Sequence, residues 1–150
     1  MKVQSSIIEN KYLRIKSINI GACLYEVFDK QKKINLILNL GHTKNYSSKN
    51  FYVGATCGRY AGRISNSKFK IKKKTYKLDG NEGRNTLHGG KIGFDRLEWK
   101  IKHHSKTKII YQLLSKNLDQ GFPGDLNSEC IFEIKNKSLI IKYQYKTRDR

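Results

Sequence analysis

Apolar and polar residues alternate with a period of two again and again along this chain, and no window of eleven or more residues carries an apolar stripe at 3.6-residue spacing. In Glu129-Cys130-Ile131-Phe132-Glu133-Ile134 one face holds Cys130, Phe132 and Ile134 and the other holds Glu129 and Glu133, the pattern of a half-buried strand. The segment 139–146 places Leu139, Ile141, Tyr143 and Tyr145 on one side, and Asn136-Lys137 stands at a turn before it. The two segments are expected to pair as a hairpin. Further strands are expected at 12–18, 22–28, 33–38, 68–71, 75–78, 97–102 and 108–114, with the Lys72–Lys74 triplet at a solvated hairpin tip. Short strands at such regular intervals predict an all-β sandwich or barrel.

Length and composition agree with that class. At 150 residues the chain has the size of one domain. Nine Tyr, six Phe and one Trp oppose a disordered chain, which is poor in aromatic side chains. No apolar run approaches the roughly 20 residues of a membrane-spanning helix, and the N-terminus has no apolar core of a secretory signal. A cytoplasmic location is the expectation. Cys23, Cys57 and Cys130 lie far apart without a C-x-x-C pair, which predicts buried, reduced thiols and no zinc site. The net charge of +19 is the electrostatic signature of a basic nucleic-acid-binding module. It is nevertheless spread along the whole chain, which favours a solvated surface and makes nucleic acid the weakest reading.

Two long stretches, 50–64 and 79–95, break the alternation and are rich in glycine. Loops of that length in a compact domain are usually functional. The first carries Arg59 and Arg63 and the second carries His88. Neither has the order of a phosphate-binding loop or a dinucleotide fingerprint. His88-Gly89-Gly90 resembles the oxyanion loop of an esterase, yet the chain has no G-x-S-x-G element to supply a nucleophile. His103 and His104 are neighbours on an expected strand, so their rings face opposite ways and do not converge on one metal. Arginine and histidine on glycine-rich loops suit a hydroxyl-rich neutral ligand, since guanidinium offers five donors and imidazole both donates and accepts. Tyr52, Tyr60, Phe94 and Trp99 are available as apolar faces for a sugar ring. The alternative is that Arg59 and Arg63 only pin their own loops to nearby carbonyls and carboxylates.

The run Gly54-Ala55-Thr56-Cys57-Gly58-Arg59-Tyr60-Ala61-Gly62-Arg63-Ile64, then Asn85-Thr86-Leu87-His88-Gly89-Gly90, Gly93-Phe94-Asp95, Trp99 and Gly121-Phe122-Pro123-Gly124-Asp125-Leu126 closely resembles the aldose 1-epimerase (galactose mutarotase) family. The resemblance implies a large single-domain β-sandwich, of which residues 1–150 would be the incomplete N-terminal part. It also implies interconversion of the α and β anomers of an aldohexose such as galactose or glucose, with no metal or organic cofactor. In that reaction a base takes the proton of the anomeric hydroxyl while an acid protonates the ring oxygen; positioned proton transfer contributes about 10²–10⁴-fold.

Carried over residue by residue, the resemblance makes Arg63 and His88 sugar contacts. Gly62 stands where the family most often has a sugar-binding Asn, so only its backbone is left there. The family's acid histidine and base glutamate would lie beyond Arg150, and the chain alone is expected to be inactive and marginally folded. A non-catalytic carbohydrate-binding protein is the alternative of a different class.

Overall fold

The computed structural model describes residues 2–47 and 52–147. Among the described residues twelve strands run in chain order: β1 Ser5–Glu9, β2 Leu13–Ile18, β3 Cys23–Asp29, β4 Ile34–Asn35, β5 Arg63–Ile64, β6 Lys68–Ile71, β7 Lys74–Lys77, β8 Thr86–Leu87, β9 Lys100–His104, β10 Lys108–Ser115, β11 Leu126–Lys135 and β12 Ser138–Thr147. They form two four-stranded antiparallel sheets, ordered β1-β2-β3-β4 and β12-β11-β10-β9, with the small pairs β5-β8 and β6-β7 beside them. Helical structure among the described residues is limited to short 3₁₀ turns, and none is long and apolar enough to cross a membrane.

The sheets face each other through the alternating residues. Ile8, Leu13, Ile15 and Val27 from one sheet meet Ile109, Tyr111, Leu113, Cys130, Phe132 and Ile134 from the other, together with Phe94 and Trp99. Between Lys16 and Ser17 the β2-β3 register slips by a bulge. Such a bulge re-aims the side chains that follow it, and Ser17 and Ile18 are both buried. Ser17 Oγ then hydrogen-bonds Tyr111 Oη at 2.8 Å, which partners a phenol inside the apolar layer. At one end the turns of two distant hairpins meet, where Asn10 Nδ2 donates to the Asn136 carbonyl at 2.7 Å.

The β11-β12 hairpin forms in the expected register, with Lys135 opposite Ser138 across Asn136-Lys137. Ile71 pairs with Lys74, so Lys72 and Lys73 make the tip and Lys74 already belongs to the strand. The expected strand at 33–38 shrinks to two residues for a local reason. Asn35 Oδ1 accepts the Val27 N–H at 3.0 Å and Asn35 Nδ2 donates to the Ile37 carbonyl, and these side-chain bonds replace ladder bonds. β1, which alternation alone did not reveal, buries Ser6 and Ile8. The small pairs β5 and β8 were also unforeseen.

All three cysteines are free thiols; Cys23 and Cys130 are buried and Cys57 half-buried. Burial pushes the Cys23 thiol up to about 12 and the Cys130 thiol up to about 11. His103 and His104 are both exposed on β9, and His104 Nε2 reaches the Ile7 carbonyl at 2.9 Å.

Candidate functional site

The two glycine-rich loops come together because β5 pairs with β8, which sets Arg63 opposite Leu87. His88 follows at once, with a left-handed backbone (φ 49°) that is uncommon for a residue other than glycine. Asn50 and Phe51, at the start of the first loop, lie outside the described residues. Gly89 has φ 95° and packs directly on the Gly58 carbonyl, where a Cβ would collide with main chain. Only glycine lets the two loops approach so closely.

Gly62 and His88 exchange two hydrogen bonds. The Gly62 N–H donates to His88 Nδ1 at 3.0 Å, and the His88 N–H donates to the Gly62 carbonyl at 3.0 Å. An Nδ1 that accepts an amide proton cannot itself carry one, so the neutral ring holds its hydrogen on Nε2 and presents it as a donor. Tyr52 braces the ring edge-on, with centroids 4.5 Å apart. Gly62, expected to meet a sugar through its backbone, has its N–H occupied by His88 and so holds the imidazole.

Arg63 is 63% exposed, and Glu82 grips it with Nε to Oε2 at 2.5 Å and Nη2 to Oε1 at 2.6 Å. The pair holds the Glu82 carboxyl below the usual glutamate range, mainly through the hydrogen bond from Arg63. Beside it, Asn81 accepts the Leu87 N–H at 2.7 Å and donates to the Leu87 and Gly90 carbonyls at 3.0 and 2.9 Å. Neither Asn81 nor Glu82 was visible as a site residue in the sequence, where each is one polar residue in a turn.

Arg59 has a different place. Its five donors reach Ser115 Oγ and the carbonyls of Pro123, Gly124, Ser115 and Lys116 at 2.6–2.9 Å. It therefore pins its own loop to the Gly121–Leu126 element, as one of the two sequence readings held. Phe94 and Trp99 are each 1% exposed and pack edge to face in the core, so they are corrected from sugar faces to core residues. Tyr60 remains exposed.

A polar cleft of about 350 Å³ opens beside His88, lined by Tyr52, Asn81, Glu82, Leu87, Lys91 and Arg96. A more apolar groove of about 580 Å³ has Arg63 in its wall, with Tyr60, Ile64, Phe69 and Phe122. Arg63 thus lines the groove, while its partner Glu82 lines the cleft. Burial raises the Asp95 carboxyl against the opposing pull of Arg96. Among the described residues no group of three or more His, Cys, Asp or Glu is placed to hold a metal ion.

The family model described as aldose 1-epimerase matches residues 4–150. This chain belongs to the aldose 1-epimerase family. It is 37% identical over 136 residues to the aldose 1-epimerase of Haemophilus influenzae, covering 87% of this chain and 39% of that protein. It is 32% identical over 145 residues to the galactose mutarotase of Sus scrofa, covering 95% of this chain and 42% of that one. Among solved structures, an aldose epimerase homologue from C. elegans superposes with a TM-score of 0.90 at 26% identity, over 97% of this chain and 46% of that one. The galactose 1-epimerase of Lactobacillus acidophilus gives a TM-score of 0.77 at 25% identity, over 90% and 46%. The all-β fold is accordingly of the galactose mutarotase type, and the chain spans about two-fifths of the length of the curated relatives it matches.

Proposed function

We propose that residues 1–150 are the N-terminal part of an aldose 1-epimerase sandwich and contribute the sugar-holding side of its site. The substrate is an aldohexose such as galactose or glucose, whose α and β anomers interconvert through ring opening. Arg63 and His88 hold sugar hydroxyls, Gly62 fixes the imidazole, and the acid histidine and base glutamate lie beyond Arg150. The observation that supports this reading most is the Gly62–His88 exchange of hydrogen bonds, which sets Nε2 as a donor on the loop that follows the β8 partner of Arg63. A ring with its tautomer and orientation already fixed loses little freedom when it meets a hydroxyl-rich ligand.

The test follows the optical rotation of fresh α-galactose. The 150-residue chain should leave the buffer rate unchanged, whereas a longer reading frame containing it should accelerate the change. His88→Ala or Arg63→Ala in that longer protein should reduce the acceleration at least tenfold. A longer protein without activity that still binds galactose would favour the non-catalytic carbohydrate-binding reading, and full activity in both variants would overturn the assignment of the two residues.

A further inference from the structure

Arg63 has two N–H groups on Glu82, and the guanidinium carries five. Three donors remain among the described residues, two on Nη1 and one on Nη2, and one from each nitrogen forms the edge that faces away from the carboxylate. A bidentate arginine–carboxylate pair is planar and rigid, so whichever group holds the first edge decides where the second points. We propose that Glu82 is a positioning residue of this site, which sets the free edge of Arg63 for sugar hydroxyls and releases it on acidification. The proposal rests on the reading of Arg63 as a sugar contact.

The turn that carries Glu82 is itself closed. The Glu82 N–H donates to the Asn85 carbonyl at 3.1 Å and the Asn85 N–H returns to the Glu82 carbonyl at 2.9 Å. Asn85 Oδ1 accepts the Asn66 N–H at 3.2 Å and so ties this turn to the residues after β5. The neighbouring Asn81 holds the loop of His88 through Leu87 and Gly90. One short turn therefore places both expected sugar contacts, His88 through Asn81 and Arg63 through Glu82. An exposed ion pair adds little to stability, so its loss should move the arginine while leaving the fold in place.

The charged and titratable groups around the Glu82 carboxylate are Arg63 and His88, with Tyr52, Lys91 and Arg96 lining the same cleft. The cations favour the ionised carboxylate. A group whose folded value is lowered keeps its grip at neutral and mildly acidic pH and loses it as pH falls through that lowered value. Sugar affinity should fall along the same limb.

The experiment titrates galactose into the ¹⁵N-labelled longer protein that contains residues 1–150 and follows the Arg63 Nε–H signal by NMR across acidic pH. Glu82→Gln should displace that signal and weaken galactose binding about tenfold, with the rest of the amide spectrum and the unfolding midpoint unchanged. Glu82→Asp should restore part of the affinity. The acid limb of the Arg63 Nε–H signal should be absent in Glu82→Gln. Wild-type affinity in Glu82→Gln, or an acid limb of the Arg63 signal that persists there, overturns the positioning role while leaving the sugar reading intact. No galactose binding by wild type, or binding unaffected by Arg63→Ala, overturns the sugar reading and this proposal together.

Discussion

Four positions separate Arg59 from Arg63, yet one guanidinium is saturated by a hydroxyl and four carbonyls while the other keeps three donors open. Their truncations should separate cleanly. Arg59→Ala leaves main-chain carbonyls of two segments without their partner, and hydrogen bonds to a charged group are worth about 1.5–3 kcal/mol. Chemical denaturation should show a loss of about 2–3 kcal/mol. Arg63→Ala removes a pair that is exposed to water and should leave the unfolding midpoint at the wild-type value. By residue type alone both arginines are candidates on equal terms, because a donor-rich side chain on a glycine-rich loop looks the same whether it meets a ligand or its own backbone; the family resemblance singles out Arg63. Glu82 and Asn81 gave no signal at all, since their roles depend on a pairing of β5 with β8 across more than twenty residues.

The hairpins show where local pattern suffices. β6 and the β11-β12 pair were legible because their side chains alternate and a turn residue stands between the strands. β5 and β8 have two residues each and no period to read, while β1 buries a serine that alternation counts as polar. At the tip of the β6-β7 hairpin Lys72 takes a left-handed backbone, φ 54°, which costs an L-residue with a Cβ roughly 1–2 kcal/mol. Lys72→Gly should therefore raise stability by up to about 1 kcal/mol after glycine's larger entropy loss is deducted. A rise in the midpoint of thermal unfolding would verify it, and a fall would show that the tip is held by something other than its backbone.

The alternation made the all-β class legible and left sandwich and barrel open, because the pairing of the two sheets depends on which apolar faces meet; the family resemblance chose the sandwich. Across the whole molecule, cover over the inner face is uneven. β12 carries Ile141, Tyr143 and Tyr145 on the same face as the buried Cys130 and Phe132 of β11, yet all three stay 44–53% exposed. An uncovered apolar stripe on a strand at the sheet margin is a site for association. The 150-residue chain should self-associate at micromolar concentration, and Ile141→Lys with Tyr145→Lys should lower that tendency in light scattering without loss of far-UV β signal. Equal scattering by wild type and variant would place the association elsewhere.

The contact between Asn10 and Asn136 joins turns 126 positions apart. During synthesis at roughly 5–20 residues per second, the β1-β2 hairpin leaves the ribosome roughly 6–25 s before its partner turn exists. For that interval Ile8, Leu13 and Ile15 have no opposite sheet. The nascent chain thus passes through a stage in which the apolar face of this hairpin has no complete sheet to cover it.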